Sequence, residues 1–339
     1  MAPALDWKNI GFNYQQTNCY LRADYKNGAW GDLEECKDTA ISVHVAAVAL
    51  HYGQSCFEGL KAFNRKSGSV SLFRPEENAR RMKASAERLV MAPVPEELFI
   101  EACKKAVKYN ADWMPPYGTG ASMYLRPLLF GSTARVGVQP SDDYVFLVLA
   151  MPVGPYYKDG FFPVKALVQD SYDRAAPRGV GNIKAAGNYA AGLLGDLAAK
   201  KKGYPIALYL DSGTRTCIDE FGTSNFFGIT KANRFVTPSS SSILCSVTNK
   251  SLQQLAADFG MAVERRNIKV GELEEFAEVG ACGTAAVITP VYSITHGDRV
   301  YTFGKEHEAG PTLTKLFREL QGIQYGDVED RHKWMLKVM

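Results

Sequence analysis

Residues 175–192, AAPRGVGNIKAAGNYAAG, place one lysine, Lys184, among glycines, alanines and two asparagines. The stretch contains no acidic side chain that could form an ion pair with this lysine. Lys184 could be a surface residue in a segment where two elements pack closely. It could also be a Schiff-base lysine, which must lose its proton to attack a carbonyl and which needs space for a planar cofactor. The spacing alone leaves both interpretations open.

The composition predicts a soluble globular protein with a substantial core. The chain has 339 residues, of which 46% are hydrophobic and 22% are charged, and this length allows two domains. Its 39 basic and 36 acidic residues give a net charge of only +3, which argues against a nucleic-acid partner. The apolar run at 41–53 is too short to span a bilayer, and no signal peptide is visible. We therefore expect a cytoplasmic protein with no membrane partner.

The cysteines and histidines do not form a recognisable metal or disulfide pattern. Seven cysteines make an odd number with no CxxC pair, and the five histidines are scattered along the chain. Structural zinc and a disulfide framework are both disfavoured by this arrangement. We expect reduced and mostly buried thiols, and no metal site.

Apolar spacing and breaker residues predict a mixture of strands and helices. VSLFRP (70–75) is typical of a short strand that runs into a helix, because Pro75 suits the first helical turn and Glu76 and Glu77 favour its positive end. Together with a domain junction at about 153–172, this mixture predicts an α+β (mixed α/β) fold. The other predicted elements are helices over 96–110 and 249–260, strands over 144–157, 205–211 and 225–230, and a Gly-rich turn that leads into a strand over 278–291.

Two acids in TCIDEFGTSNFF (216–227), Asp219 and Glu220, lie among phenylalanines. An acid at the end of a strand often faces solvent. Burying it is costly unless it meets a cation. A buried carboxylate at this point would suit the heteroaromatic nitrogen of pyridoxal phosphate, which must keep its proton for the cofactor to act as an electron sink.

Three further residues could bind a phosphate group. Thr248, in LCSVTNKSLQQ, lies where a helix is predicted to begin, so it could cap that helix or contribute to an anion site with the free N–H groups. Thr284 lies in a Gly/Thr turn that could contribute more donors or be a plain turn. Arg81 is predicted on the helix face opposite Met82 and Ala86, so a solvated arginine is the default unless a second domain covers that face.

Six motifs occur in the order seen in branched-chain amino-acid aminotransferases, and the chain resembles that family of fold-type IV pyridoxal-phosphate enzymes from about residue 10 to its end. The resemblance implies two domains with the cofactor in the cleft between them: a smaller N-terminal α/β domain (1–153), a linker (154–172) and a larger C-terminal cofactor-binding domain (173–339). The motifs are YGQSCFEGLKAF (52–63), LFRPEENARRM (72–82), YLRPLLFG (124–131), GVGNIKAAGNYA (179–190), DEFGTSNFF (219–227) and CGTAAVITPV (282–291).

The resemblance also implies roles for the cofactor residues. Lys184 would be the catalytic Schiff-base lysine of pyridoxal 5'-phosphate and would move the proton between the substrate Cα and the cofactor. Glu220 would face the pyridine nitrogen, and Tyr189 would face the phenolic oxygen. A cofactor in the cleft would also explain how the non-core face of the Arg81 helix is covered. The phosphate would be held by Arg81, the backbone of Val247 and Thr248, and Thr284, with Arg174 close by.

For the substrate, the resemblance implies an apolar side-chain pocket at Phe57, Tyr124 and Tyr156. Thr223 and Ala285 would lie near the α-carboxylate, and Arg126 would meet the second carboxylate of glutamate. Tyr52 would reach in from the partner subunit, since the family forms homodimers with shared sites.

The chain departs from the family pattern in two places. Many relatives carry Gly and Arg around the phosphate-binding pair, where this chain has Ser246 and Asn249; because backbone N–H groups bind the phosphate, we expect binding to survive. The animal enzymes carry a redox CxxC after the GTA turn, where this chain has Ala286 and Thr289. With only Cys282 nearby, thiol regulation of that kind is not expected.

The resemblance therefore implies a homodimeric transaminase that exchanges the amino group of L-leucine, L-isoleucine or L-valine with 2-oxoglutarate by a ping-pong mechanism. Its partners would be these amino acids, glutamate and their 2-oxo acids. Two alternatives are a D-amino-acid transaminase and an aminodeoxychorismate lyase on the same fold. A non-catalytic binding homologue is a further alternative, because a fold alone does not guarantee activity.

Overall fold

The computed structural model describes residues 5–7, 9–154 and 161–339. These residues divide into two compact units. The first contains the described residues up to 154 together with Ile183–Gly187 and Gly322–Met339, and the second contains the described residues within 161–182 and 188–321. The Lys184 segment thus belongs to the N-terminal unit, although the chain reaches it only after entering the second unit. The predicted division at 154–172 stays a prediction.

The described residues form eighteen strands. They are β1 (Tyr20–Lys26), β2 (Ala29–Trp30), β3 (Glu34–Cys36), β4 (Ser55–Phe57), β5 (Leu60–Asn64), β6 (Val70–Phe73), β7 (Ser122–Gly131), β8 (Tyr144–Val153), β9 (Val164–Val168), β10 (Ile206–Leu210), β11 (Ile218–Phe221), β12 (Asn225–Thr230), β13 (Arg234–Pro238), β14 (Ala262–Arg266), β15 (Phe276–Gly283), β16 (Val287–His296), β17 (Arg299–Thr302) and β18 (Met335–Lys337).

Six α-helices and two short 3₁₀ helices complete the described secondary structure. The α-helices are α1 (Val48–Tyr52), α2 (Pro75–Arg88), α3 (Glu96–Tyr109), α4 (Ala186–Lys201), α5 (Val247–Asp258) and α6 (Pro311–Tyr325), and the 3₁₀ helices are Ala111–Trp113 and Val270–Glu275. The predicted α+β class is confirmed, and so are the predicted helices at α2, α3 and α5 and the predicted strands at β6, β8, β10 and β12.

The first unit is built on one sheet. Its strands follow the order β18-β6-β5-β7-β8-β1-β2, with β3 paired to β1 and β4 paired to β7. Helices α2 and α3 contribute their apolar faces to the core of this unit, in which Met82, Ala86 and Phe99 are fully buried. Spacings of three and four residues along α2 produce that face, as the sequence predicts.

Helix α2 begins as its sequence predicts. Pro75 occupies the first turn with Glu76 and Glu77 beside it. Acidic side chains at this end stabilise the helix because they face the positive end of its dipole. The chain enters the helix through Arg74, whose backbone is in the left-handed region at a φ of 46°. The Arg74 N–H donates to the carbonyl of Trp334 at 2.8 Å, so the C-terminal segment helps to fix the start of the helix that carries Arg81.

The second unit contains a closed barrel. Strand β11 pairs with both β10 and β12, so the six strands β11-β10-β9-β16-β15-β12 form a ring; β13 and β14 extend from β12, and β17 pairs with β16. Buried apolar side chains from these strands form its core, and closure leaves these six strands without an open edge. The ring places Glu220 of β11 directly opposite Asn225 of β12.

The segment 278–291 differs from the prediction in one respect. Its glycine-containing first half is not a turn: Phe276–Gly283 is strand β15, and the turn is limited to residues 284–286. Gly280 lies within that strand. A Cβ at this position would come within 2.7 Å of the ring of Phe227. The glycine therefore permits close packing of an aromatic ring, not a change of chain direction.

Candidate active site

The backbone of Lys184 is held from two sides within the first unit. Its N–H donates to Ser85 Oγ at 3.0 Å, and its carbonyl accepts from the Phe57 N–H at 3.2 Å. Ser85 is fully buried and donates its own hydroxyl proton to the carbonyl of Arg81 at 2.9 Å. These bonds fix the position from which the Lys184 side chain extends.

The Lys184 side chain lies beside an aromatic ring. The residue is partly buried, and its Nζ is 4.7 Å from the centroid of the Phe57 ring. A ring face at this distance attracts a protonated amine, so the contact holds the Lys184 side chain against Phe57.

Three predicted pocket residues of the first unit lie together, and one of them, Phe57, contacts Lys184. The Arg126 guanidinium is 4.6 Å from the Phe57 ring centroid and 5.4 Å from that of Tyr124. It donates to the Tyr124 hydroxyl at 3.0 and 3.3 Å. Burial raises the pKa of Tyr124 above its ordinary value, although Arg126 partly opposes this shift. The cluster thus combines two aromatic walls with one cation.

The other two predicted pocket residues are Tyr52 and Tyr156, and only Tyr52 is among the described residues. Tyr52 ends helix α1, is exposed, and donates its hydroxyl proton to the carbonyl of Val136 in its own chain. Tyr156 lies outside the described residues.

Arg81 forms a buried ion pair with Glu58. Its Nε and Nη2 donate to the two carboxylate oxygens of Glu58, each at 2.7 Å. The Arg81 side chain is only 11% exposed, and that of Glu58 is fully buried. The default expectation of a solvated arginine is therefore wrong: α2 places this guanidinium against a carboxylate of the segment between β4 and β5. Our sequence reasoning missed Glu58, although an acid within an apolar stretch is the same signal that identified Glu220.

In the second unit, Glu220 is a buried carboxylate with donors on both oxygens. Its Oε1 lies 2.5 Å from Arg174 Nη2 and accepts from the Leu244 N–H at 3.0 Å. Its Oε2 accepts from Asn225 Nδ2 at 3.0 Å. Glu220 is 2% exposed, so the alternative in which this acid faces solvent is wrong. Donors of this kind stabilise the ionised form of a carboxylate.

Arg174 contacts Glu220 directly. The same guanidinium also donates to the carbonyls of Ser242 at 3.1 Å and Gly181 at 3.3 Å. It is therefore fixed by backbone acceptors on two loops, and it holds a positive charge beside the Glu220 carboxylate.

The N-terminus of α5 is capped by Ser246, not by Thr248. Ser246 Oγ accepts from the Asn249 N–H at 3.1 Å, and Val247 and Thr248 are the first two residues of the helix. The alternative in which Thr248 caps the helix is therefore wrong. The first N–H groups of a helix have no partner within it, so Val247 and Thr248 lie where backbone donors and the positive helix end favour an anion.

Thr284 and Ala285 lie in the turn between β15 and β16. The last pair of these strands is Gly283 with Val287, and Val287 has a φ of 65°. A left-handed backbone costs a β-branched residue about 1–3 kcal/mol, and such strain concentrates at ligand-binding sites. The turn is therefore held in a conformation that local propensity disfavours.

The two remaining predicted site residues also belong to the second unit. Tyr189 is partly buried on α4, and Thr223 is exposed in the loop between β11 and β12. Among the described residues, no group of three or more His, Cys, Asp or Glu side chains could hold a metal ion. No described helix is long and apolar enough to cross a bilayer.

Comparison with known proteins identifies the family. The family model of class IV amino-transferases matches residues 55–294, a range that contains all of the described site residues except Tyr52. The chain belongs to the class IV aminotransferases.

Relatives of this class IV aminotransferase extend the similarity to the full chain. It is 48% identical to a branched-chain-amino-acid aminotransferase of Haemophilus influenzae over 98% of this chain and 99% of that protein. It is 47% identical to one of Helicobacter pylori over 98% of each. The predicted resemblance to that family is therefore confirmed.

Solved structures support the same assignment. The Escherichia coli branched-chain amino acid aminotransferase superposes with a TM-score of 0.79 at 28% identity, covering 95% of this chain and 100% of that one. The Thermobaculum terrenum branched-chain amino acid aminotransferase, solved in its PLP form, gives a TM-score of 0.77 at 25% identity over 96% and 100%. The expected fold-type IV architecture is thereby confirmed.

Proposed function

We propose that this class IV aminotransferase uses pyridoxal 5'-phosphate to exchange the amino group of L-leucine, L-isoleucine or L-valine with 2-oxoglutarate. The observation that carries the proposal is the full-length similarity to two branched-chain-amino-acid aminotransferases at 48% and 47% identity. A ping-pong path follows from the use of one cofactor in two half-reactions. We also propose a homodimer in the cytoplasm, on the strength of the same family resemblance.

The chemistry of the available donors fits this cofactor. Glu220 is buried with donors on both oxygens, and an ionised carboxylate of this kind suits a protonated ring nitrogen. The N-terminus of α5 offers backbone N–H groups to a phosphate. Arg81, already oriented by Glu58, adds a cation that can bind phosphate oxygens at more than one point. Lys184 supplies the amine.

In this proposal each cofactor residue has one task. Lys184 holds the cofactor covalently through Nζ, Glu220 keeps the proton on the ring nitrogen, and Tyr189 donates to the phenolic oxygen. Arg174 acts through Glu220, because the two side chains are in contact. The phosphate is bound by Arg81, the backbone of Val247 and Thr248, and Thr284.

Proton transfer is the task of Lys184. When bound, pyridoxal phosphate supplies an electron sink for the charge that develops at the substrate Cα. The Lys184 amine would take the proton from the substrate Cα as a general base and would then donate it to the cofactor as a general acid. Its backbone is fixed by hydrogen bonds to Ser85 and Phe57, which limits the positions that Nζ can reach.

The substrate residues divide by charge. Phe57, Tyr124 and Tyr156 provide the apolar wall for a branched side chain. Arg126, held by the Tyr124 hydroxyl, meets the second carboxylate of glutamate. Thr223 and Ala285 lie at the α-carboxylate, and Tyr52 contributes from the partner subunit.

Borohydride reduction tests the cofactor and the lysine together. Reduction fixes the cofactor to the lysine that holds it, and peptide mapping then identifies that residue. Label at Lys184 is the expected result, and loss of this label in Lys184→Ala is the matched control. Label at Lys61, the buried lysine of β5, or no label after incubation with pyridoxal phosphate, would overturn the assignment.

The amino donor tests the substrate class. Adding L-leucine without an acceptor should convert the holoenzyme to its pyridoxamine form, and the visible absorption spectrum measures this conversion. D-alanine should not produce it. Conversion by D-alanine alone would favour a D-amino-acid transaminase instead.

A further inference from the structure

Glu58 meets Arg81 at two points. The carboxylate is fully buried, and Oε1 and Oε2 each accept from the guanidinium at 2.7 Å. Oε2 also accepts from Asn78 Nδ2 at 2.7 Å and from the Gly59 N–H at 3.2 Å. Two further donors thus join the guanidinium around one acid, and Asn78 and Arg81 come from the same helix, α2.

This geometry fixes the plane of the guanidinium. A guanidinium carries five N–H donors in one plane, and Glu58 engages the edge formed by Nε and Nη2. The donors of Nη1 are therefore directed away from Glu58, in an orientation set by that contact. An arginine whose side chain is already ordered loses less conformational entropy when it binds an anion.

The same segment also holds Lys184. Phe57, the residue before Glu58, donates its N–H to the Lys184 carbonyl. Ser85, one turn beyond Arg81 on α2, accepts from the Lys184 N–H. Phe57, the last residue of β4, therefore fixes the backbone of the lysine, and Glu58, the residue that follows it, fixes the side chain of the arginine.

We propose that Glu58 is a positioning residue that orients Arg81 to bind the phosphate of the cofactor. This inference rests on the proposed function, because that function makes Arg81 a phosphate ligand. It predicts that removal of the Glu58 charge weakens only the part of cofactor binding that depends on phosphate.

The test compares two ligands that differ only in phosphate. The dissociation constants of pyridoxal phosphate and of pyridoxal are measured for the apoenzymes of the wild type and of Glu58→Gln. Loss of one charged hydrogen-bonded contact predicts roughly tenfold weaker binding of pyridoxal phosphate, with pyridoxal binding unchanged. A purely structural role would weaken both ligands equally. Glu87→Gln makes the same change at an exposed position of α2 and should alter neither constant.

Two further measurements separate the possible failures. If Glu58→Gln does not fold, Asn78→Ala replaces it in the test. This variant keeps the Glu58 charge and removes one of its hydrogen bonds, so it should weaken the binding of pyridoxal phosphate alone, by about threefold. Equal weakening of both ligands in Asn78→Ala, or no selective loss in a folded Glu58→Gln, would overturn the positioning role. A wild-type protein that binds pyridoxal phosphate no better than pyridoxal would instead contradict Arg81 as a phosphate ligand, and with it the proposed phosphate site.

Discussion

Asp219 and Glu220 are adjacent buried acids with different surroundings. Successive side chains of a strand point to opposite faces, so β11 directs them into different environments. Glu220 has donors on both oxygens. Asp219 Oδ2 accepts from the Ser242 hydroxyl at 2.8 Å, whereas Oδ1 is buried without a hydrogen-bond partner among the described residues. Both buried oxygens of Glu220 are therefore hydrogen-bonded, whereas only one of the two is at Asp219.

The first prediction concerns Asp219→Asn. Burial raises the pKa of Asp219 above its ordinary value and nearby Asp211 adds to the shift, whereas the hydroxyl groups of Ser242 and Ser240 and the charge of Arg174 oppose it. Over pH values between the ordinary pKa and the raised one, the native state binds more protons than the unfolded state, so stability falls as pH rises through this window. An asparagine at this position stays neutral throughout, so the variant should be more stable by about 1 kcal/mol at pH 7.

The measurement is urea unfolding of both apoproteins between pH 4 and pH 8. The stability difference should be smallest at pH 4, close to the ordinary pKa of an aspartate, and should grow towards neutral pH. A difference that stays constant with pH would show that the substitution acts through packing and not through charge.

At the scale of elements, the second prediction concerns the cap of α5. Ser246 Oγ accepts from the Asn249 N–H, and removal of such a cap costs about 1 kcal/mol when alanine replaces it but only a few tenths when glycine does. Ser246→Ala should therefore lower the free energy of unfolding of the apoprotein by about that amount, and Ser246→Gly by less.

Chemical denaturation of the wild type and both variants measures this effect. The glycine variant is the control, because it removes the same hydroxyl while leaving the extended cap conformation accessible. Equal losses in the two variants would mean that Ser246 acts by a route other than capping.

Elements were predictable where local residues determine them. Pro75, Glu76 and Glu77 mark the start of α2, and the apolar spacing that follows defines its buried face. The glycine at 280 was misinterpreted as part of a turn because its reason is the ring of Phe227 from a neighbouring strand. That contact depends on the register of β12 and β15, which local sequence does not report.

The candidate site shows the same limit. Lys184 and Glu220 were identified from chemistry and resemblance, but the partners that hold them are distant in sequence: Ser85 is 99 residues from Lys184, and Leu244 is 24 residues from Glu220. Arg81 is held by Glu58 from 23 residues away. Pairings across such separations follow from the fold and not from the spacing of a motif.

At the scale of the whole molecule, the seven cysteines are all free thiols, distributed over both units. Four of them are buried, and burial raises the pKa of Cys19 to about 11 and that of Cys56 to about 12. Burial also raises the pKa values of Cys103 and Cys282. Since the thiolate is the reactive form, these four thiols should be inert in the folded protein.

The last prediction is a graded reaction with a thiol reagent such as DTNB at pH 8. A pKa of about 12 leaves only about one thiolate in ten thousand at that pH, so neither access nor ionisation permits reaction of the buried cysteines. Exposed Cys245 should react first, partly buried Cys36 and Cys217 more slowly, and the other four only in denaturant. Cys245→Ser should remove the fast phase alone. Rapid modification of Cys282 in the native protein would contradict its burial, and would reopen thiol regulation beside the Thr284 turn.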